Sequence, residues 1–173
     1  MSIKHYLMAL LIAMLAAGPV LAADGQQRDC VANFSAYLRS FDYREREEMK
    51  IKTEELKKLY REGRVQIVDI RFPEETALWG ISFASRIPIN ELPDRLAELD
   101  KSKIIVTVCP HDDRASIARH YLALQGYQAR YLVGGLLGLA DALRGDDARE
   151  FYKATTDQQR DEVNPPTGDS LAK

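Results

Sequence analysis

The sequence predicts an α/β domain with a mostly parallel central sheet flanked by helices on both faces. Three observations carry this reading. Ile104–Val108 (IIVTV) is a β-branched apolar run of strand length, Val65–Ile70 (VQIVDI) is a second, and helical patterns lie before, between and after them. Parallel neighbours need a crossover connection, so strands that alternate with helices point to a parallel sheet.

Taken in order, Asp29–Arg39 reads as a short amphipathic helix with Val31, Phe34, Tyr37 and Leu38 on one face. The stretch FDYREREEMK that follows is heavily charged and is expected to be solvated. Met49–Lys52 has the character of a short strand. Thr53 then stands as a helix N-cap, with Glu54 and Glu55 in the first turn and Leu56, Leu59 and Tyr60 as the apolar stripe; Gly63 stops the helix. After the 65–70 strand, Pro73-Glu74-Glu75 opens a helix with proline in its first turn. Residues 92–99 read as another short helix, and Lys101–Lys103 turns into the strand that ends at Cys109. A helix over 115–125, a stop at Gly126, a short strand near Tyr131–Val133 and a helix opened by Gly134–Gly135 follow. Asp146–Tyr152 suggests a last helix, and the polar tail from Thr155, ending NPPTGDSLAK, has the composition of a disordered segment.

The first 22 residues have the make-up of a secretory signal. Lys4 and His5 precede the apolar run Tyr6–Leu15, Gly18–Pro19 breaks it, and Val20-Leu21-Ala22 offers small residues for cleavage. The run falls short of the roughly 20 apolar residues a spanning helix wants, so a soluble periplasmic product is expected and a stable membrane anchor is not. The organisation expected is therefore a signal peptide over 1–22, a helical extension over 23–50, one domain over 51–154 and a disordered tail over 155–173. The formal net charge of the 173-residue chain is −2, with no Lys/Arg run, which makes nucleic acid and anionic membrane surfaces poor partners.

The chemistry concentrates in IIVTVCPHDDRASIA, residues 104–118. Cys109 ends a buried strand, a polar loop follows, and a helix N-terminus lies just behind it; α/β sheets place ligands at such a strand end. Helix-end amides and the positive end of the helix dipole favour a thiolate there, so Cys109 is a candidate nucleophile. The other cysteine, Cys30, could be a resolving thiol, an intermolecular link or a buried apolar residue. A structural disulfide between Cys30 and Cys109 would occupy the nucleophile.

This segment and its continuation, VTVCPHDDRASIARHYLALQGYQARYLVGGLLGL, resemble the rhodanese family of sulfurtransferases. Upstream, VQIVDIR resembles the first core strand of that family, ending in Asp-x-Arg, and RIPINEL (Arg86–Leu92) resembles its Ile-Pro segment. The resemblance covers roughly residues 51–145. It implies a persulfide carried on Cys109, cradled by loop amides from His111 to Arg114 (Pro110 has none) and closed by Arg114. It implies a sulfane sulfur passed from thiosulfate or a persulfide to a thiol or cyanide, with no cofactor and no metal. A thioredoxin-like periplasmic protein is among the acceptors it allows.

The chain also departs from the family pattern. Asp112 and Asp113 set two carboxylates beside the thiol, which would raise its pKa and repel dianionic thiosulfate if one points inward. Gly80 falls in the slot where relatives carry a histidine. His111 could donate a proton to a leaving group or respond to pH beside the thiolate. Asp69 and Arg71 are assigned a supporting role, with Arg71 expected to pair with Glu74 or Glu75. Two other functions compete: a cysteine phosphatase or arsenate reductase, whose Cys-x5-Arg loop is one residue longer than Cys109–Arg114, and a non-enzymatic binding or redox-sensing module.

Overall fold

The computed structural model describes residues 33–163, so the signal-peptide reading, Cys30 and the end of the tail lie outside the described residues. The chain divides into two compact units at Asp42. Of the first, residues 33–40 are helical, and Phe34, Tyr37 and Phe41 stack along it with ring centroids 6.2 and 6.0 Å apart.

The second unit starts with α1 (Tyr43–Glu48), β1 (Lys50–Ile51), α2 (Thr53–Arg61), β2 (Val65–Asp69), α3 (Pro73–Leu78) and β3 (Ser85–Arg86). It continues through β4 (Ile104–Val108), α4 (Asp113–Leu124), β5 (Ala129–Leu132), α5 (Gly135–Ala142) and α6 (Gly145–Val163). The five strands form one parallel sheet in the order β1-β5-β4-β2-β3. The β2–β4 register pairs Val65 with Ile104 and Asp69 with Val108, so the two strands end level.

Strand alternation sorts side chains to two cores, as a sheet buried on both faces requires. Val65, Ile67, Val106 and Val108 face α2, α5 and α6, meeting Leu56, Leu59, Tyr60, Leu136, Leu139 and Phe151. Val68, Ile70, Ile105 and Cys109 face α4, meeting Ala115, Ala118 and Leu122. The expected stripe of α2 is the one that packs, and Gly63 ends the helix with φ +67°. Lys57 is also buried on α2; its ammonium reaches Asp147 at 2.5 Å and Glu54 at 3.3 Å, which ties α2 to α6.

The charged stretch after Phe41 buries no residue, as expected, and forms helix α1, whose Glu45 pairs at 2.6 Å with the buried Arg119 of α4. The structure revises three local expectations. Lys52, not Thr53, stands at the N-cap of α2. The 92–99 helix is two 3-10 turns, Leu92–Asp94 and Leu96–Glu98. There the Gln66 amide takes up the Glu98 carbonyl and the Asp100 N–H, which ends the second turn. Finally, α6 continues through Val163, so residues 155–163 are helical and not part of a disordered tail. Phe151 holds α6 down by stacking on Tyr60 and meeting Phe83 edge to face, each with ring centroids 5.0 Å apart, and Thr155 is buried one turn later. Among the described residues no helix is long and apolar enough to cross a membrane.

Candidate active site

The site lies at the C-terminal edge of the sheet, where β2, β4 and β5 all release the chain. Cys109 follows β4 directly and is fully buried. Its Sγ lies 3.4 Å from the His111 carbonyl oxygen and 3.6 Å from Asp113 Oδ1, and the S–H donates toward both. Thr107, two residues earlier on the same face, donates its hydroxyl to the Ala115 carbonyl at 2.8 Å and so anchors the first turn of α4 to β4.

The loop is held from behind by α5. Leu136 N–H donates to the Cys109 carbonyl at 2.8 Å, Leu137 N–H to the Pro110 carbonyl at 3.2 Å, and Gly134 N–H to Asp112 Oδ1 at 3.2 Å. Open N–H groups at a helix start thereby satisfy carbonyls that the loop turns toward them. The approach leaves no room for a side chain. A Cβ on Gly135 would overlap the His111 carbonyl oxygen and sit 2.6 Å from that of Cys109, and its φ of +57° already favours glycine. Gly135→Ala is therefore expected to cost about 2 kcal/mol of stability and to displace the loop. Urea unfolding, together with faster alkylation of Cys109 in the folded variant, checks this; an unchanged alkylation rate would show that the loop had not moved.

The charges arrange differently from the expectation. Arg114 forms a bidentate pair with Glu75, at 2.6 and 2.8 Å, while its charge also acts on Cys109 and Asp113. That pair lowers the Glu75 carboxyl to about 2, helped by the Phe72 N–H that also donates to it. Arg114 is held protonated in return. Arg71 does not pair with Glu74 or Glu75. It turns back on Asp69, with Nε 2.8 Å from Oδ1 and Nη2 2.6 Å from Oδ2, both residues fully buried. The Arg71 guanidinium stacks 3.9 Å from the Trp79 ring centre, and its Nη1 has no hydrogen-bond partner. The Asp-x-Arg turn selects the pairing: Asp69 also accepts the Arg71 backbone N–H at 3.2 Å, which closes the turn on itself.

The thiol itself runs against the sequence expectation. Burial pushes the Cys109 pKa up; backbone hydrogen bonds at Ala115 and His111 pull it down, and the Asp113 charge raises it further. Desolvation outweighs the helix-end amides here. Asp113, itself exposed, turns one carboxylate oxygen to the thiol, while Asp112 turns to Gly134. His111 is exposed, and its backbone rather than its ring meets the thiol. In the vacant slot at Gly80, a Cβ would sit 2.6 Å from Arg86 Nη2, so Arg86 fills the space a side chain would need. Phe83 packs in the core, and Trp79 supports Arg71. Among the described residues no three His, Cys, Asp or Glu side chains converge as metal ligands.

Sequence reasoning missed Glu75 as the partner of Arg114. A signal was present: Glu75 stands three residues after Phe72, the capping-box spacing, which aims its carboxylate back toward the helix start and the neighbouring loop.

Comparison with known proteins follows the same segment. The rhodanese-like domain model matches residues 52–142. A sulfurtransferase of Allochromatium vinosum is 36% identical over 77 residues, 44% of this chain and 72% of that protein. The thiosulfate sulfurtransferase GlpE of Pseudomonas aeruginosa is 33% identical over 86 residues, 50% of this chain and 77% of that protein. Among solved structures, the BH2092 protein of Bacillus halodurans superposes with a TM-score of 0.52 at 26% identity, covering 62% of this chain and 80% of that one.

Proposed function

Because the chain belongs to the rhodanese-like domain family and is a rhodanese-type sulfurtransferase, we propose that it moves a sulfane sulfur through a persulfide on Cys109. The observation that carries the residue assignment is the position of Cys109 at the end of β4, enclosed by the 110–114 loop and the first turn of α4. In the first step the Cys109 thiolate attacks the sulfane sulfur of a donor; the donor S–S bond breaks and its electron pair leaves with the donor. In the second, an acceptor thiolate or cyanide attacks the outer sulfur, the Cys109 S–S bond breaks, and the Cys109 thiolate is restored. Neither step needs an external oxidant. The loop and α4 amides supply donors to the anionic sulfur, an anion-binding concavity in physical terms.

The donor we favour is a persulfide of low charge. Asp113 faces the sulfur, and Arg114, the nearest loop cation, is engaged by Glu75. A dianion such as thiosulfate meets a carboxylate there, and the Arg114 charge that could offset it is shared with Glu75. We also place the reaction in the periplasm, on the reading of residues 1–22 as a cleaved signal.

Intact-protein and peptide mass spectrometry after incubation with thiosulfate or a persulfide donor tests the assignment. One added sulfur on Cys109, removed by cyanide or a thiol, is expected, with thiosulfate the poorer donor. An unmodified Cys109, or one joined to Cys30, would overturn it. Asp113→Asn removes the charge that opposes the thiolate. Its alkylation is expected to be severalfold faster at neutral pH, and its pH–rate curve to move to lower pH. In the native protein the rate should still be climbing at a pH where an unperturbed thiol has levelled off, because burial raises the folded pKa.

A further inference from the structure

The segments that leave β2, β4 and β5 emerge at the sheet edge that carries Cys109, and each bears exposed apolar side chains. Phe72 and Leu78 flank α3, Ile117 lies on α4, and Val133 and Leu137 follow β5; their exposure runs from 37% at Val133 to 86% at Leu78. These elements are tied to the loop by contacts already described. The Phe72 ring lies 5.8 Å from the Arg114 guanidinium, and α3 holds Arg114 through Glu75. Ile117 stands one turn beyond Asp113 on the same helix face, Gly134 beside Val133 donates to Asp112, and the Leu137 N–H meets Pro110. Most of the exposed large apolar side chains described in residues 43–163 belong to this ring. Solvent-exposed apolar side chains gathered around one site mark an interaction surface.

The charge of the ring is also one-sided. The Arg114 and Arg71 charges are taken by Glu75 and Asp69. Glu74, Asp112 and Asp113 stand in no ion pair among the described residues, so the surplus around the thiol is negative. Arg86, beside Gly80, stands in no ion pair among the described residues, and the three carboxylates outnumber it.

We propose that this ring docks a protein that presents its reacting cysteine on an apolar loop flanked by lysine or arginine. The inference rests on the persulfide reading above and names the partner class for it. A protruding loop brings its thiol to a buried sulfur, its apolar neighbours cover the ring, and its cations meet the three carboxylates. The same cations favour the partner's thiolate, which attacks the outer sulfur of the Cys109 persulfide; the S–S bond of Cys109 breaks and its electron pair returns to Cys109. Charge complementarity of this kind steers encounter and selects the partner.

The test uses the full chain loaded with sulfur and four acceptors. One is the capped pentapeptide lysine-leucine-cysteine-phenylalanine-lysine; the second has glutamate for both lysines, the third has serine for both apolar residues, and the fourth is glutathione. The first peptide is expected to exceed the second and third by about tenfold in kcat/KM. Leu78→Gln and Ile117→Gln should each reduce that advantage severalfold while leaving transfer to glutathione unchanged. Equal transfer to all four, with Cys109 loaded normally, overturns the docking surface and leaves the persulfide reading standing. Failure of Cys109 to load overturns both. Loss of a dimer in either variant, without discrimination among peptides, assigns the ring to a second copy of the chain and overturns the proposal.

Discussion

Cys109→Ser is expected to reduce sulfur transfer by at least about a thousandfold, since among the described residues no other thiol can carry the sulfur between donor and acceptor. The substitution is nearly isosteric and the site is enclosed, so the fold should survive it. The Ser Oγ can keep a hydrogen bond to the His111 carbonyl, 3.4 Å from the present Sγ. The measurement is thiocyanate or thiol-persulfide formation under identical donor conditions, with urea unfolding as the control for folding. Retention of a tenth of native activity would move the nucleophile elsewhere, and Cys30 would be the next residue to replace.

Asp69→Ala is expected to destabilise the protein by about 3–5 kcal/mol, the cost of leaving one member of a buried ion pair without its partner. Arg71 is fully buried and, among the described residues, takes its carboxylate hydrogen bonds from Asp69, through Nε and Nη2, while Nη1 is already without a partner. Its stacking on Trp79 does not replace a counter-charge. A loss of this size corresponds to a melting temperature lower by roughly 10–20 °C for a domain of this length. The double variant Asp69→Ala/Arg71→Met removes both charges and should recover much of the loss, because the penalty comes from the orphaned guanidinium. A single-variant loss below about 1 kcal/mol would show that water reaches Arg71.

The two predictions draw on different levels of the molecule. Cys109 was legible as a candidate nucleophile because a β-branched run, a polar loop and a helical pattern are adjacent in the chain. The same local reasoning located β2, β4, the stripe of α2 and the proline-opened α3. Alternation along β4 also decided that Cys109 shares a face with Ile105 and Thr107, since side-chain direction in a strand depends only on position. The reading of 155–163 failed for the complementary reason: its polar composition was read correctly, but α6 is held by Phe151 against Tyr60 and Phe83, residues far away in sequence.

What the sequence alone determined was the succession of β1, β2, β4 and β5 with most of the helices between them, the α/β class and Cys109 as the candidate nucleophile. These depend on periodicity, β-branching and turn chemistry, all of which act over a few neighbours. Only the tertiary structure decided which carboxylate each arginine takes. Glu75 and Arg114 are 39 residues apart and meet because α3 and the loop leave adjacent strands that end level; Arg71 was left to Asp69. It also decided the state of the thiol. Helix-end amides are visible in a sequence, but desolvation depends on the atoms packed around the sulfur, and at Cys109 desolvation is the larger effect.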